Sequence, residues 1–216
     1  MSQKLLTIID YGMGNLHSVA KALEAVAPQF QIEITNDRAR ILEADHVVLP
    51  GVGAIRDCMA EIRRQQVDEV VAENLASGKP FLGICVGMQA LMAHSDENQG
   101  IDCLNQFDGH VHRFPSGLID SHGLPMKVPH MGWNHVTKTK DHPIWNSIES
   151  DSHFYFVHSY FVEPHENYSA GICHYGTDFA AMIYRDNLFA TQFHPEKSAE
   201  AGLQLLKNFT QWNGTL

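Results

Sequence analysis

The sequence predicts an α/β fold with a mostly parallel central sheet flanked by helices, and an additional mixed or antiparallel sheet in the second half. In the first half, continuous apolar runs alternate with helical patterns, which is typical of strands buried on both faces of a parallel sheet. In the second half, shorter runs alternate between apolar and polar residues. No linker or charge block separates the halves, so we expect residues 1–216 to form a single domain.

The first half contains four strand candidates, and most of them lead into a helical pattern. The predicted strands cover residues 5–9, 31–35, 45–49 and 81–84. The predicted helices cover residues 16–25, 54–77 and 86–94. Gly78 should end the second helix, and Asp37 should begin a polar turn.

The second half is predicted to be strand-rich and to close with a helix. The candidate strands cover residues 111–114, 134–138, 154–161, 170–175, 180–184 and 188–192. The closing helix covers residues 199–212. The stretch from Pro115 to Met126 matches no pattern to which we can assign a role.

Composition argues against several classes of partner. The formal net charge of −10 disfavours nucleic acid and acidic membrane surfaces, because both attract clusters of Lys and Arg. Asp10 ends the N-terminal apolar run well short of a signal sequence or a spanning helix. The four cysteines form no C-x-x-C pair, so we expect reduced thiols in a cytoplasmic protein.

Neither a cofactor nor a metal ion is predicted. Gly12 and Gly14 follow the first strand and match the start of a dinucleotide-binding fingerprint, but its third glycine position is occupied by His17. The fourteen histidines include no H-x-x-x-H or H-E-x-x-H spacing. We therefore interpret most of these histidines as surface or core polar residues.

A cysteine stands at the corner between the fourth strand and its helix. Gly83 and Gly87 flank Cys85 in the G-x-C-x-G pattern of a nucleophile elbow, in which a tight strand-to-helix turn presents one reactive side chain. The start of the helix favours a thiolate, and the amide of Val86 is placed to bind an oxyanion. A small cysteine is also a common core residue, so this pattern alone leaves both interpretations open.

Two other strand ends carry groups that a cysteine nucleophile needs. The backbone amides of Gly51, Val52 and Gly53 follow the third strand and could donate to an oxyanion. His194 and Glu196 follow the last strand, and residues two apart in extended backbone point to the same side. A carboxylate that holds an imidazole would complete a catalytic triad with the cysteine.

These residues resemble the class I glutamine amidotransferases, whose Cys-His-Glu triad matches Cys85, His194 and Glu196. The resemblance runs from the first strand to the last helix. It rests on residues 10–15, 50–53, 83–89, 128–134, 156–160 and 192–198. Residues 128–134 narrow it to the glutaminase subunits that supply ammonia for histidine biosynthesis.

The resemblance implies the class I glutamine amidotransferase fold and the hydrolysis of glutamine to glutamate and ammonia. It also implies a heterodimer with a (β/α)₈-barrel cyclase subunit, which receives the ammonia through a tunnel and makes imidazole glycerol phosphate and an aminoimidazole carboxamide ribotide. The substrate-binding residues that it implies are Gln89, His158, Ser159 and Tyr160. The partner-interface residues are Asn15, Met131, Gly132, Trp133 and Asn134.

Two alternatives remain open at this point. A cysteine hydrolase of another substrate, such as a folate γ-glutamyl hydrolase or a peptidase, would keep the elbow and the histidine but would have no reason for residues 128–134. A non-catalytic binding or scaffold protein would be expected to lack a member of the triad. No member is missing from this sequence.

Overall fold

A mixed sheet runs through the computed structural model, which describes residues 3–119, 123–164 and 168–216. Its strands are β1 (Lys4–Ile9), β2 (Phe30–Thr35), β3 (His46–Gly51), β4 (Phe81–Cys85), β5 (Met92–Ser95), β6 (Ile101–Asp102), β7 (Phe107–Arg113), β8 (His130–Lys138), β9 (Ser152–His158), β10 (Tyr160–Pro164), β11 (Ser169–His174), β12 (Asp178–Arg185) and β13 (Leu188–Thr191). The α-helices are α1 (Leu16–Val26), α2 (Arg38–Glu43), α3 (Ile55–Arg64), α4 (Val67–Ala76), α5 (Val86–Ala90) and α6 (Ala199–Gln211).

The parallel part of the sheet has the strand order β2-β1-β3-β4-β13. Strand β12 pairs antiparallel with β13 and continues the sheet to β10, β7, β5 and β6. Strands β11, β8 and β9 branch from β12 in antiparallel pairs. The predicted α/β class is confirmed, and the antiparallel strands of the second half are hydrogen-bonded to the parallel part.

The parallel strands bring three of the predicted motifs to one edge of the sheet. Every residue of β3, β4 and β13 is buried, as their apolar runs predict. Gly51 at the end of β3 lies in register with Cys85 at the end of β4, and Thr191 at the end of β13 lies in register with Ile84. The carboxyl ends of these three strands are therefore neighbours.

The prediction of one helix over residues 54–77 is wrong, because two helices occupy this stretch. Helix α3 ends at Arg64 and α4 begins at Val67. Between them, Gln66 adopts a left-handed conformation with φ 57°. The side chain of Gln65 donates a hydrogen bond to the carbonyl of Tyr11 at 3.0 Å, which ties the break to the loop after β1. Both helices bury an apolar face, so the helical pattern continues across the break.

Three other predicted elements also differ. The helix over residues 86–94 stops at Ala90, because Met92–Ser95 pairs with β7 as a strand. The turn at Asp37 is instead the start of α2, whose amides of Ala39 and Arg40 donate to the Asp37 carboxylate. The strand over residues 154–161 is interrupted at Ser159 and forms β9 and β10.

One cluster of buried apolar side chains has members from Leu5 to Trp212. It supports a single domain over residues 1–216, which stays a prediction. Within the described ranges, no helix combines the length and the apolar character needed to cross a membrane. The unassigned stretch from Pro115 to Met126 includes residues 120–122, which lie outside the described residues.

Candidate active site

The predicted strand-to-helix corner is present at Cys85. This residue ends β4, and α5 begins at the next residue, so no loop residue lies between them. Its backbone has φ 56° and ψ −112°, a conformation that costs a residue other than glycine roughly 1–3 kcal/mol. The surrounding structure therefore holds the cysteine in a strained turn, as a nucleophile elbow requires.

The glycines around the elbow allow backbone segments to approach closely. A Cβ at Gly87 would lie 2.0 Å from the carbonyl oxygen of Leu49, and one at Gly83 would lie 2.7 Å from the Cδ1 atom of Leu91. A Cβ at Gly51 would lie 2.7 Å from the amide nitrogen of Gly87. The end of β3 and the start of α5 are therefore packed backbone to backbone.

The histidine and the glutamate that follow β13 form a buried pair. His194 Nδ1 and Glu196 Oε1 lie 2.9 Å apart, and their side chains are 3% and 0% exposed. The predicted extended backbone is wrong here, because Pro195–Lys197 forms a 3-10 turn that the amide of Lys197 closes by donating to the carbonyl of His194. The tight turn brings the two side chains together.

The surroundings of His194 favour its charged form. Burial lowers the pKa of this imidazole, but its hydrogen bonds to Cys85 and Glu196, and their charges, outweigh burial and raise the pKa from 6.5 to about 10. The ring is therefore protonated at neutral pH. An imidazolium beside a cysteine favours the thiolate, which is the nucleophilic form of the sulfur.

Asn15 lies beside this pair, although the family resemblance implied only a partner-interface role for it. Its side-chain amide donates a hydrogen bond to Glu196 Oε1 at 3.3 Å. The other carboxylate oxygen of Glu196 is buried and has no hydrogen-bond partner among the described residues. The carboxylate is thus held at one oxygen by both His194 and Asn15.

Cys85 opens into a cavity of about 340 Å³, which lies in the size range of small-molecule sites. Most of the residues predicted for the oxyanion hole and for substrate binding meet here. The lining residues are Val52, Gly53, Cys85, Val86, Gln89, Glu97, Pro129, Val157, His158, Ser159, Tyr160 and His194. Gly51 is not among them, because it lies behind the cavity wall against the elbow.

Gln192, a buried glutamine that was not among the predicted site residues, links the cavity wall to Cys85. Gln89 Nε2 donates to the carbonyl of Tyr160 at 3.1 Å and to Gln192 Oε1 at 3.0 Å. Gln192 Nε2 in turn lies 3.9 Å from Cys85 Sγ. The only signal in the sequence is the position of Gln192, a polar residue directly after the buried strand β13 and two residues before His194.

His158 in the same wall and its hydrogen-bonded neighbour His130 are both uncharged. Burial lowers the pKa of His158 to about 3 and that of His130 to about 4. His158 Nδ1 lies 2.7 Å from the carbonyl of Tyr160, and His158 Nε2 lies 2.9 Å from His130 Nδ1. Asn134 Nδ2 lies 3.2 Å from His130 Nε2. With each ring protonated at Nδ1, every member of this chain donates to the next one.

The predicted interface residues on β8 include two large exposed apolar side chains. Met131 is 62% exposed and Trp133 is 53% exposed. Residues two apart on a strand share a face, so these side chains lie side by side. In the sheet, Met131 lies opposite Val157, and Val157 lines the cavity. The exposed apolar face therefore borders the cavity that contains Cys85.

The chain belongs to the class I glutamine amidotransferase family, whose model matches residues 7–212. The assignment predicted from the sequence is thereby confirmed. Within the described ranges, no group of three or more His, Cys, Asp or Glu side chains could hold a metal ion, and all four cysteines are free.

Its relatives are similar over nearly the whole chain. A protein of Pseudomonas putida is 55% identical over 97% of this chain and 98% of the relative, and one of Nitrosococcus oceani is 53% identical over the same shares. A third, of Acinetobacter baylyi, is 54% identical over 96% and 98%. All three are named imidazole glycerol phosphate synthase subunit HisH.

Solved structures share the fold at low sequence identity. PurLQS from Thermotoga maritima gives a TM-score of 0.73 at 17% identity, covering 97% of this chain and 99% of that one. A glutamine amidotransferase from Thermotoga maritima gives a TM-score of 0.60 at 15% identity, with coverages of 98% and 84%. The predicted class I glutamine amidotransferase fold is therefore confirmed.

Proposed function

We propose that this chain is the glutaminase subunit of an imidazole glycerol phosphate synthase and works in histidine biosynthesis. It hydrolyses glutamine to glutamate and ammonia and passes the ammonia to a (β/α)₈-barrel cyclase subunit. The observation that carries the proposal is the meeting of Cys85 and the His194–Glu196 pair at one cavity. The near full-length similarity to HisH subunits supports the choice of partner.

In the first half of the reaction, the Cys85 thiolate attacks the carboxamide carbon of glutamine. His194 is protonated in the resting site, so it can give its proton to the departing nitrogen. Ammonia leaves, and a γ-glutamyl thioester remains on the sulfur. Glu196 holds the imidazole in the orientation needed for this transfer and stabilises its charge.

In the second half, water hydrolyses the thioester. The now neutral His194 takes a proton from the attacking water, the carbon–sulfur bond breaks, and glutamate leaves. The cysteine returns to its thiolate and the imidazole to its protonated form. Both halves pass through a tetrahedral oxyanion, so they need the same hydrogen-bond donors.

We assign the oxyanion hole to the backbone amide of Val86 and to the loop Gly51–Val52–Gly53, of which Val52 and Gly53 line the cavity. Val86 is the first residue of α5, so its N–H has no partner within the helix. A single oxyanion donor typically contributes about 3–4 kcal/mol to the barrier reduction.

We assign the amino-acid end of glutamine to the cavity wall that Gln89 shares with the backbone of His158, Ser159 and Tyr160. Gln89 donates to the carbonyl of Tyr160, so these groups form one wall of the cavity.

We assign the cyclase to the face that carries Met131 and Trp133, flanked by Gly132, Asn134 and Asn15. Large exposed apolar side chains that lie together mark protein interaction sites. A partner on this face would border the cavity, and ammonia would then reach it without crossing bulk water. The product-forming lyase chemistry belongs to the partner, and we place the heterodimer in the cytoplasm.

The proposal is tested by mixing the chain with a cyclase subunit and its ribonucleotide substrate and measuring glutamate from glutamine. We expect glutamate and imidazole glycerol phosphate in equal amounts. Cleavage of folate γ-glutamates or peptides without glutamine hydrolysis would establish the other hydrolase instead, and binding without any hydrolysis would establish a scaffold.

The interface is tested by Met131→Asp, with Leu216→Asp as the matched control. Both side chains are largely exposed, at 62% and 74%, so neither change should unfold the chain. We expect the first change to weaken binding of the cyclase at least tenfold, as measured by titration calorimetry, and the second to leave it unchanged. Equal affinities for the two variants would contradict the assigned face.

A further inference from the structure

Two buried side chains that the proposed mechanism does not use hold the loop assigned to the oxyanion hole. Tyr11 follows β1, Cys58 lies on α3, and both are completely buried. The Tyr11 hydroxyl donates to the carbonyl of Pro50 at 2.9 Å, and the Cys58 thiol donates to the carbonyl of Val52 at 3.4 Å. These two carbonyls lie on either side of Gly51, so the loop is held at both of its flanks.

Both groups keep the protons that these hydrogen bonds require. Burial raises the pKa of the Tyr11 hydroxyl well above its usual value of 10.0. Burial also raises the pKa of the Cys58 thiol to about 11. Near neutral pH, each group is therefore a donor, and a carbonyl can only accept. The hydroxyl and the thiol also interact with each other, which couples the two supports.

The bond from Cys58 orients an amide of the loop. In a trans peptide, the N–H points away from the C=O. Because the Val52 carbonyl is directed at the buried thiol, the N–H of Gly53 is directed to the opposite side of the chain. Cys58 does not line the cavity, whereas Gly53 does. The thiol therefore lies outside the cavity lining and fixes the direction of an amide in a loop that lines it.

Tyr11 lies at the contact between the loop and the elbow. A Cβ at Gly51 would lie 2.8 Å from the Tyr11 hydroxyl oxygen and 2.7 Å from the amide nitrogen of Gly87. The tyrosine hydroxyl and the start of α5 thus both crowd the side of Gly51 from which a side chain would project. Without the hydroxyl, the glycine-rich loop could rotate at little steric cost.

We propose that Tyr11 and Cys58 are positioning residues that keep the Pro50–Gly53 backbone directed at the oxyanion formed above Cys85. The inference rests on the proposed glutaminase function. Neither side chain lines the cavity, so neither is placed to touch substrate. Loss of either bond should weaken binding of the transition state and leave binding of glutamine unchanged, because the substrate-binding wall belongs to other elements.

The kinetic test uses Tyr11→Phe and Cys58→Ala in the complex with the cyclase. Removal of a whole oxyanion donor costs roughly 100- to 1,000-fold, so displacement of one should lower kcat by at least about tenfold with little change in KM. Cys58→Ser keeps a donor and should restore most of the rate. Cys173→Ala, which removes an equally buried thiol elsewhere, is the matched control and should leave kcat unchanged.

A second measurement separates positioning from general damage to the site. Glutamate γ-semialdehyde adds to the Cys85 thiolate, forming a carbon–sulfur bond and leaving negative charge on the former carbonyl oxygen, so its affinity reports on the oxyanion hole. Iodoacetamide alkylates the same sulfur by displacing iodide and forms no oxyanion. We expect both variants to bind the aldehyde about tenfold more weakly while Cys85 is alkylated at the wild-type rate.

The outcomes distinguish this inference from the function on which it rests. Wild-type kcat and aldehyde affinity in Tyr11→Phe and Cys58→Ala would overturn the positioning role while leaving the glutaminase assignment intact. An equal loss of aldehyde binding and alkylation would also overturn it, because it would indicate general disruption of the site. Absence of glutamine hydrolysis by the wild-type complex would instead refute the proposed function.

Discussion

Gly87→Ala should disable glutamine hydrolysis while the complex still makes product from added ammonia. A Cβ at this position would lie 2.0 Å from the carbonyl oxygen of Leu49, whereas real Cβ atoms essentially never come closer than 3.0 Å. The obstacle is backbone in the middle of the buried sheet, which cannot rotate away as a side chain could. The elbow must therefore move from β3 by about 1 Å.

The displacement sets the size of the expected effect. A misplacement of about 1 Å between reacting groups costs on the order of 100-fold in rate, or about 2.7 kcal/mol of barrier. Forcing the extra carbon into a packed site costs about 1–3 kcal/mol of the free energy of unfolding. A domain is typically stable by about 5–15 kcal/mol, so the variant should remain folded.

Gly171→Ala is the matched control for packing damage. A Cβ there would lie 2.9 Å from Val136 Cγ1 and 3.1 Å from Trp145 Cζ2, and this glycine does not line the cavity. Steady-state glutaminase assays and urea unfolding of both variants separate the two effects. We expect both to lose stability and only Gly87→Ala to lose its glutamine-dependent rate. Glutamine hydrolysis by Gly87→Ala within a few-fold of the wild-type rate would refute the displacement of the elbow.

Other predictions concern the triad, the partner and acid. Cys85→Ala should abolish glutamine hydrolysis while ammonia-dependent synthesis by the complex persists, and residual hydrolysis above a trace would exclude this nucleophile. Glu196→Gln should reduce kcat less than His194→Ala, because water or an amide can partly replace an orienting group but not a proton carrier. A larger loss of kcat in Glu196→Gln would mean that the two roles are misassigned. The isolated chain should be a poor glutaminase that the ligand-bound cyclase activates by orders of magnitude, and full turnover alone would contradict this. The free energy of unfolding, measured in urea, should fall as pH drops from 6.5 toward 4, because buried histidines that are neutral in the folded chain take up protons on unfolding. Equal free energies of unfolding at pH 7 and pH 5 would refute this prediction. These histidines are His46, His130, His142 and His158.

The strand ends that carry the site could be predicted from the sequence because buried parallel strands leave continuous apolar runs. Each of β3, β4 and β13 leads directly into a motif, at Gly51, Cys85 and His194 respectively. The carboxyl ends of parallel neighbours lie at one edge of a sheet, so the three motifs had to meet if the strands were adjacent. The pairing of β4 with both β3 and β13 fulfils that condition.

Local patterns could not reveal where tertiary contacts override helix propensity. Residues from Met92 onward continue a helical pattern, yet their backbone pairs with β7 and extends the sheet. Gln66 interrupts a stretch that buries apolar side chains on both sides of it. In both cases the decisive partner lies elsewhere in the chain, and periodicity carries no information about it.

Dependence on partners elsewhere in the fold also explains why sequence patterns do not single out three of the polar residues near the site. Tyr11 bonds a carbonyl 39 residues away, and Gln192 approaches a sulfur 107 residues away. Cys58 is only six residues from Val52, but a thiol in an amphipathic helix looks like any small core residue. Motif spacing reveals functional groups that lie close together along the chain. Tyr11, Cys58 and Gln192 act instead through the packing of separate elements of the fold.

The two buried histidines that line the cavity show how environment divides one residue type into opposite roles. His194 and His158 are both almost fully buried, which by itself would leave each ring neutral. The hydrogen bonds and charges of Cys85 and Glu196 hold a proton on His194, whereas the hydrogen-bond partners that the described residues offer His158 are a carbonyl and another neutral ring. The charge on His194 further lowers the pKa of His158. His158 is therefore neutral mainly because it is buried, and the cavity is lined by one charged imidazole rather than two.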